Sequence, residues 1–277
     1  MSQDIVRSYY ASFGEREWNR LTTSEGAIEF SITTRTLSAY LPAQGHILDL
    51  GGGPGRYTRW LLERGYQVVL ADLSPELLAL AEQQLQASGL REQVEAITMA
   101  DARDLSCWPD QAFDAVLCLG PFYHLPDPAD REQAARELVR VLRPGGLAFI
   151  AVMPSYALLR RTIALADERQ HLAQPGFVTQ LLEQGVFFND IPGRFSAGSG
   201  MHPSTIAPFF AQYSLSALAL LACEGLASGI EHAVAEIAQR DPQLYQQVLD
   251  LLFQTAQDTS IHGMSGHLLY VGRKDRV

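Results

Sequence analysis

Ile47-Leu48-Asp49-Leu50-Gly51-Gly52-Gly53-Pro54-Gly55-Arg56-Tyr57 decides the reading of this chain. It reads as a short apolar strand running into a glycine-rich bend, then a helix over 57–64 that Gly65 ends. Glycines permit positive φ and let a ligand approach bare main chain. The helix start offers unpaired N–H groups and the positive end of the dipole. The dinucleotide spacing G-x-G-x-x-G is absent, because Arg56 and Thr58 stand where the third glycine belongs. That spacing sets aside a nicotinamide-dependent oxidoreductase. What stands instead is Asp49-x-Gly51-x-Gly53-x-Gly55, with an acid inside the strand. Such an acid repels a pyrophosphate and suits a ligand carrying an ammonium or sulfonium group.

Outward from this stretch, 66–70 forms a second, nearly all-apolar strand ending at Asp72, as befits a strand buried on both faces. Ser74-Pro75-Glu76 opens a helix with a cap, a proline in the first turn and an acid at the positive end. A third strand, 94–99, leads to Asp101-Ala102, and a fourth, 113–119, runs into Gly120-Pro121-Phe122-Tyr123-His124-Leu125. A helix over 129–142 is stopped by Arg143-Pro144-Gly145-Gly146 before a fifth strand, 147–152. Strands alternating with helices predict a parallel sheet wound on both faces. In such a sheet ligands bind outside the carboxyl ends of the strands, at the switch point. Asp49, Asp72, Asp101 and the 120–124 turn all fall at such ends.

These motifs together resemble the class I S-adenosylmethionine-dependent methyltransferases, in a bacterial branch with Gly-Gly-Gly-Pro-Gly-Arg-Tyr and Gly-Pro-Phe-Tyr-His-Leu. The likeness covers about residues 5–152 well, is weaker over 202–225 and 266–274, and is poor in the insertions. It implies a Rossmann-like α/β fold with a doubly wound, mostly parallel, seven-stranded sheet. The expected parts are a helical N-terminal lid (1–41), a cofactor-binding core (42–153), a helical lid or substrate insertion (154–213), and a C-terminal part (214–277) that completes the sheet around a helical insertion. It implies S-adenosyl-L-methionine as cofactor and S-adenosyl-L-homocysteine as product. Asp72 would accept both ribose hydroxyls, Leu73 would pack on the adenine, and Asp101 with the Ala102 backbone would hold the adenine edge. Asp49 and the backbone of Gly51, Gly52 and Gly53 would place the methionine end, and Leu119 would offer its carbonyl to the ammonium. Gly52 stands where the family often has cysteine.

Methyl transfer is an in-line displacement, so the protein's task is to align the nucleophile and exclude water. His124 and Tyr123 lie where an acceptor would, His124 as candidate base or as a cap on the next helix. Tyr9, Tyr10, Arg20, Phe122, Arg194 and His202 are candidates for lid or substrate contacts, with Phe195 and Phe209 as further aromatic edges. The segments 2–41 and 154–213 are expected to meet over the strand ends. Ile5, Tyr9 and Phe13 share a face of the first of these.

The composition narrows the partners. The chain of 277 residues is 47% hydrophobic with a net charge of −10, and its single lysine is Lys274. Nucleic acid, bound through many phosphate contacts, is disfavoured, and a P-loop or Schiff-base lysine is excluded. Cys107, Cys118 and Cys223 form no C-x-x-C pair. They read as reduced thiols of a cytoplasmic protein without a metal site. No signal peptide or membrane span is read from the sequence. The leading expectation is a monomeric or homodimeric methyltransferase acting on an O or N atom of a small molecule. A non-catalytic S-adenosylmethionine-binding protein and an RNA or protein methyltransferase are the alternatives.

Overall fold

The computed structural model describes residues 14–191, 194, 195 and 197–276. The expectations for Ile5, Tyr9, Tyr10 and Phe13 lie outside the described residues. Helices α1 (Glu15–Arg20) and α2 (Ser24–Tyr40) precede β1 (His46–Leu50). There follow α3 (Arg56–Leu62), β2 (Gln67–Asp72), α4 (Pro75–Ala87), β3 (Ala96–Met99), β4 (Phe113–Cys118), α5 (Pro128–Val141) and β5 (Leu142–Pro154). The insertion holds α6 (Ser155–Ala164), β6 (Val186–Phe188) and β7 (Ala197–Met201). Then come α7 (Pro203–Ala211), β8 (Leu215–Ala222), α8 (Glu231–Arg240), α9 (Pro242–Thr255) and β9 (Leu268–Lys274).

β1 lies between β2 and β4, parallel to both. β3 extends the sheet beyond β2 and β5 beyond β4, again in parallel. β9 runs antiparallel to β5, and β8 antiparallel to β9. Chain direction across the sheet therefore diverges between β1 and β4, the switch point where such sheets open a crevice. Alternate residues of β1 enter different cores: Leu48 and Leu50 pack on one face, Ile47 on the other. Both faces are covered, which is why the strand is an apolar run apart from His46 at its start and Asp49.

Among the described residues the sheet has nine strands, not the expected seven. The additional two are the β6–β7 hairpin of the insertion, expected to be helical and then irregular, which joins the sheet through Met153↔Gly200 and Pro154↔Met201. Its signal was masked by close packing. A Cβ on Gly198 would lie 2.5 Å from the Tyr123 carbonyl oxygen, and one on Gly200 would lie 2.8 Å from Ser155 Cα. A strand seated that tightly needs glycine where a readable strand would carry β-branched residues. The Arg143-Pro144-Gly145-Gly146 stretch also belongs to β5, at an irregularity in its register with β4.

Ser74 caps α4, accepting from the Leu77 amide at 3.2 Å, and Pro75 stands in its first turn. α2 buries Ile28 and Ile32 against Val234 of α8 and Leu249 and Leu252 of α9. The C-terminal helices thereby hold the N-terminal ones at the edge of the crevice.

Candidate active site

The bend after β1 is built to approach, and not to cradle, an anion. Gly51 has φ +69°, and a Cβ there would lie 2.5 Å from the Pro121 ring. A Cβ on Gly52 would lie 2.4 Å from Leu70 Cδ1 and 2.6 Å from the Asp49 carboxylate, so a cysteine at this position does not fit without a shift. The amides of Gly51 and Gly52 both donate to the Ala71 carbonyl, at 2.7 and 3.2 Å. The Gly53 amide donates to Asp72 Oδ2 at 2.8 Å, and that of Gly55 to the Gly52 carbonyl at 3.0 Å. With these four donors used internally, the glycine run lacks the convergent N–H groups of a phosphate nest.

Three acids from successive strand ends share this crevice. Asp49 is 1% exposed, and burial pushes its carboxyl up to about 6 even though Thr58 Oγ1 donates to it at 2.7 Å. Asp72 is likewise raised by burial, and its two oxygens accept the Gly53 and Ser74 amides at 2.8 Å each. Asp101 is engaged by Arg103, whose Nη1 also reaches Asp130 at 2.7 Å. Leu73, Ala102 and Leu119 line the same crevice beside the glycines.

Opposite them, α1 supplies Glu17 and Arg20, followed by Leu21. Arg20 Nε donates to Glu17 at 2.8 Å and Nη1 to Glu29 at 2.7 Å. Behind this pair, His267 Nδ1 lies 3.0 Å from Glu224 and 3.9 Å from Glu29. Tyr123 and His124 form the wall on the β4 side, their rings 4.9 Å apart. His124 is 7% exposed, and burial lowers its pKa to about 4. The imidazole is thus a neutral group at pH 7 and a weaker base than its ordinary value of 6.5 implies.

Several candidates from the sequence do not reach the crevice. Phe122 turns into the core, its ring 5.1 Å from Phe210, and Phe209 packs beside it. Arg194 pairs with Asp167 at 3.0 Å on the insertion. His202 caps α7 by accepting from the Ser204 amide at 3.3 Å. Phe195 packs behind His124, ring to ring at 5.0 Å. Among the described residues the insertion therefore buttresses the 121–124 turn from behind, with Ser199 Oγ donating to the Phe122 carbonyl at 3.0 Å, and lines none of the crevice. The 121–124 stretch is a 3₁₀ turn with about three residues per turn, so Phe122 reaches the core while Tyr123 and His124 line the opening. Glu17, Arg56 and Tyr57 line the crevice without having been singled out. The last two were visible as the end of the glycine motif, whereas Glu17 had only its place one turn ahead of Arg20.

Comparison with known proteins fits this geometry. Residues 48–150 match the family model described as Methyltransferase domain. Methyltransferase GfsG of Streptomyces halstedii is 38% identical over 109 residues, covering 39% of this chain and 37% of the relative. The tRNA 5-carboxymethoxyuridine methyltransferase of Escherichia coli is 30% identical over 149 residues, covering 52% of this chain and 56% of the relative. Against these curated relatives the chain thus spans about half of their length or less. Among solved structures, the Burkholderia thailandensis 1,6-didemethyltoxoflavin-N1-methyltransferase, with 1,6-didemethyltoxoflavin and S-adenosylhomocysteine bound, superposes with a TM-score of 0.59 at 17% identity. It covers 98% of this chain and 88% of that one, which establishes the shared fold. The likeness to a methyltransferase domain thus lies in the segment that carries β1 to β5 and the crevice. No helix among the described residues is long and apolar enough to cross a membrane.

Proposed function

We propose that the chain is an S-adenosylmethionine-dependent methyltransferase acting on an O or N atom of a small-molecule acceptor. One observation carries the reading: Asp49, the glycine bend and Asp72 converge at the switch point, within the segment matching a methyltransferase domain. The residues fit the cofactor's chemistry. Asp72 has further lone pairs for two ribose hydroxyls, Leu73 suits an adenine face, and Ala102 with Asp101 suits its edge. Asp49 and the Leu119 carbonyl suit the ammonium. When bound, the cofactor supplies an electrophilic methyl group on a sulfonium.

The protein's own contribution is alignment and exclusion of water. Tyr123, His124, Leu21 and Tyr57 give the crevice a largely apolar wall, suited to a compact acceptor with an aromatic or apolar body. His124, neutral at pH 7, is the candidate to accept the acceptor's proton. The net charge of −10 and the single lysine favour a small acceptor over RNA. Three free cysteines support a reducing, cytoplasmic setting.

Incubation with S-adenosylmethionine carrying a labelled methyl group, against a panel of small phenols and amines, tests the reading. Release of S-adenosylhomocysteine with label in an acceptor supports it. Tight cofactor binding with no turnover across the panel favours the non-catalytic binding protein instead.

A further inference from the structure

Three arginines line the crevice, and two are already neutralised. Arg20 is held by Glu17 and Glu29, and Arg103 by Asp101 and Asp130. Arg56 differs. No ion pair joins it to a carboxylate among the described residues, and its Nε is buried without a hydrogen-bond partner there. Its guanidinium carbon lies 4.7 Å from the ring centre of Trp18 on α1 and 5.8 Å from that of Phe30 on α2. Burial, and then the charge of Arg59, lower its pKa, with Tyr57 working the other way and no carboxylate beside it among the described residues. A crevice-lining guanidinium with an unused donor is a receptor for an anion.

We propose that Arg56 holds the α-carboxylate of the cofactor's methionine end and that Trp18 sets its guanidinium for that contact. The inference rests on the function proposed above. Position decides for the cofactor over a carboxylate on the acceptor, because Arg56 directly follows the glycine bend, where the methionine end is placed. Chemistry favours a side-chain donor over the glycine run. The amides of Gly51, Gly52, Gly53 and Gly55 all donate within the protein, so those four cannot receive the carboxylate. Asp49 and Arg56 then divide the amino-acid group between them, acid toward ammonium and guanidinium toward carboxylate. Since Trp18 belongs to α1, the same contact ties the N-terminal helix to the occupied site.

Calorimetry without any acceptor, using S-adenosylmethionine and decarboxylated S-adenosylmethionine, tests this. Both probes keep the sulfonium and the ammonium, and only one carries the carboxylate. The wild-type protein should prefer the intact cofactor by about tenfold to a hundredfold, the range for one charge-assisted hydrogen bond. Arg56→Gln should abolish that preference while binding the decarboxylated probe within about twofold of wild type, which also reports an intact fold. Should that variant fail to fold, Arg56→Lys serves, and the preference should narrow because a lysine lacks the planar fork. Trp18→Phe should keep the preference and Trp18→Leu should reduce it. A preference persisting in Arg56→Gln, or equal weakening of both probes, overturns the assignment while leaving the cofactor reading intact. Wild-type protein that binds neither probe overturns both.

Discussion

The Gly53 amide donates to Asp72 Oδ2 at 2.8 Å, so the carboxylate at the end of β2 clasps the glycine bend at the end of β1. Its other oxygen takes the Ser74 amide at the start of α4. The residue assigned to the ribose is therefore also the pin that fixes the floor of the site.

Asp72→Ala should weaken cofactor binding by roughly 1–3 kcal/mol, the cost of leaving buried partners unpaired. Calorimetry with S-adenosylhomocysteine reads this directly. Unchanged affinity would show that Asp72 does not carry the ribose.

Asp49 gives a pH signature. Its folded pKa of about 6 lies above the ordinary 3.8, so ionisation is costlier in the folded state. Its contribution to stability is greatest below pH 3.8, falls as pH rises through 6, and is constant above. A bound ammonium or sulfonium favours the carboxylate and draws the pKa back down. Cofactor binding should expel protons near pH 5.5 and none near pH 8. Calorimetry in buffers of different ionisation enthalpy measures this, and proton uptake at pH 5.5 would contradict the placement of Asp49.

The Glu224–His267 pair, 3.0 Å apart and packed against Glu29 and Arg20, gives a second. Burial works against His267 protonation, yet Glu29 and Glu224 outweigh it and raise the pKa above 6.5. Burial likewise opposes Glu224 ionisation, but the His267 charge and hydrogen bonds hold its pKa below 4.5. The histidine's contribution is complete below pH 6.5 and lost as pH rises through the raised value. The glutamate's is complete above pH 4.5 and lost as pH falls through the lowered one. The joint contribution is therefore full between about pH 4.5 and 6.5. Glu224→Gln should cost about 3–5 kcal/mol in that window, with a smaller loss at pH 9. Thermal melts across pH decide it, and an equal loss at both ends would sink the idea.

Much of this was legible in the sequence. Period and punctuation located the five parallel strands β1 to β5, because parallel strands covered on both faces are plain apolar runs and their helices carry caps and terminal glycines. The crevice residues Asp49, Asp72 and Tyr123 followed from a general rule about strand ends. What escaped notice was set by tertiary contact. Gly198 and Gly200 sit in β7 where Tyr123 and Ser155 leave no room for a Cβ, so the strand lacks the side chains that mark one. Arg194 and His202 found nearer partners in Asp167 and Ser204. The lowered pKa of His124 depends on a burial that no local pattern records.

His124→Ala should lower turnover by about 10², the low end for a lost base, because a pKa near 4 makes a weak proton acceptor. Cofactor affinity should be nearly intact, and the wild-type rate should show no His124 limb between pH 6 and 8. Unchanged turnover on the true acceptor would reduce His124 to a wall of the site.

The central claim is that the crevice at the β1–β4 switch point takes S-adenosylmethionine, and calorimetric titration of the purified chain with S-adenosylhomocysteine and with NADH tests it most directly. S-adenosylhomocysteine should bind with a Kd on the order of micromolar, and NADH far more weakly. Binding of NADH as tight as that of S-adenosylhomocysteine, or no S-adenosylhomocysteine binding at millimolar concentration, would contradict the account.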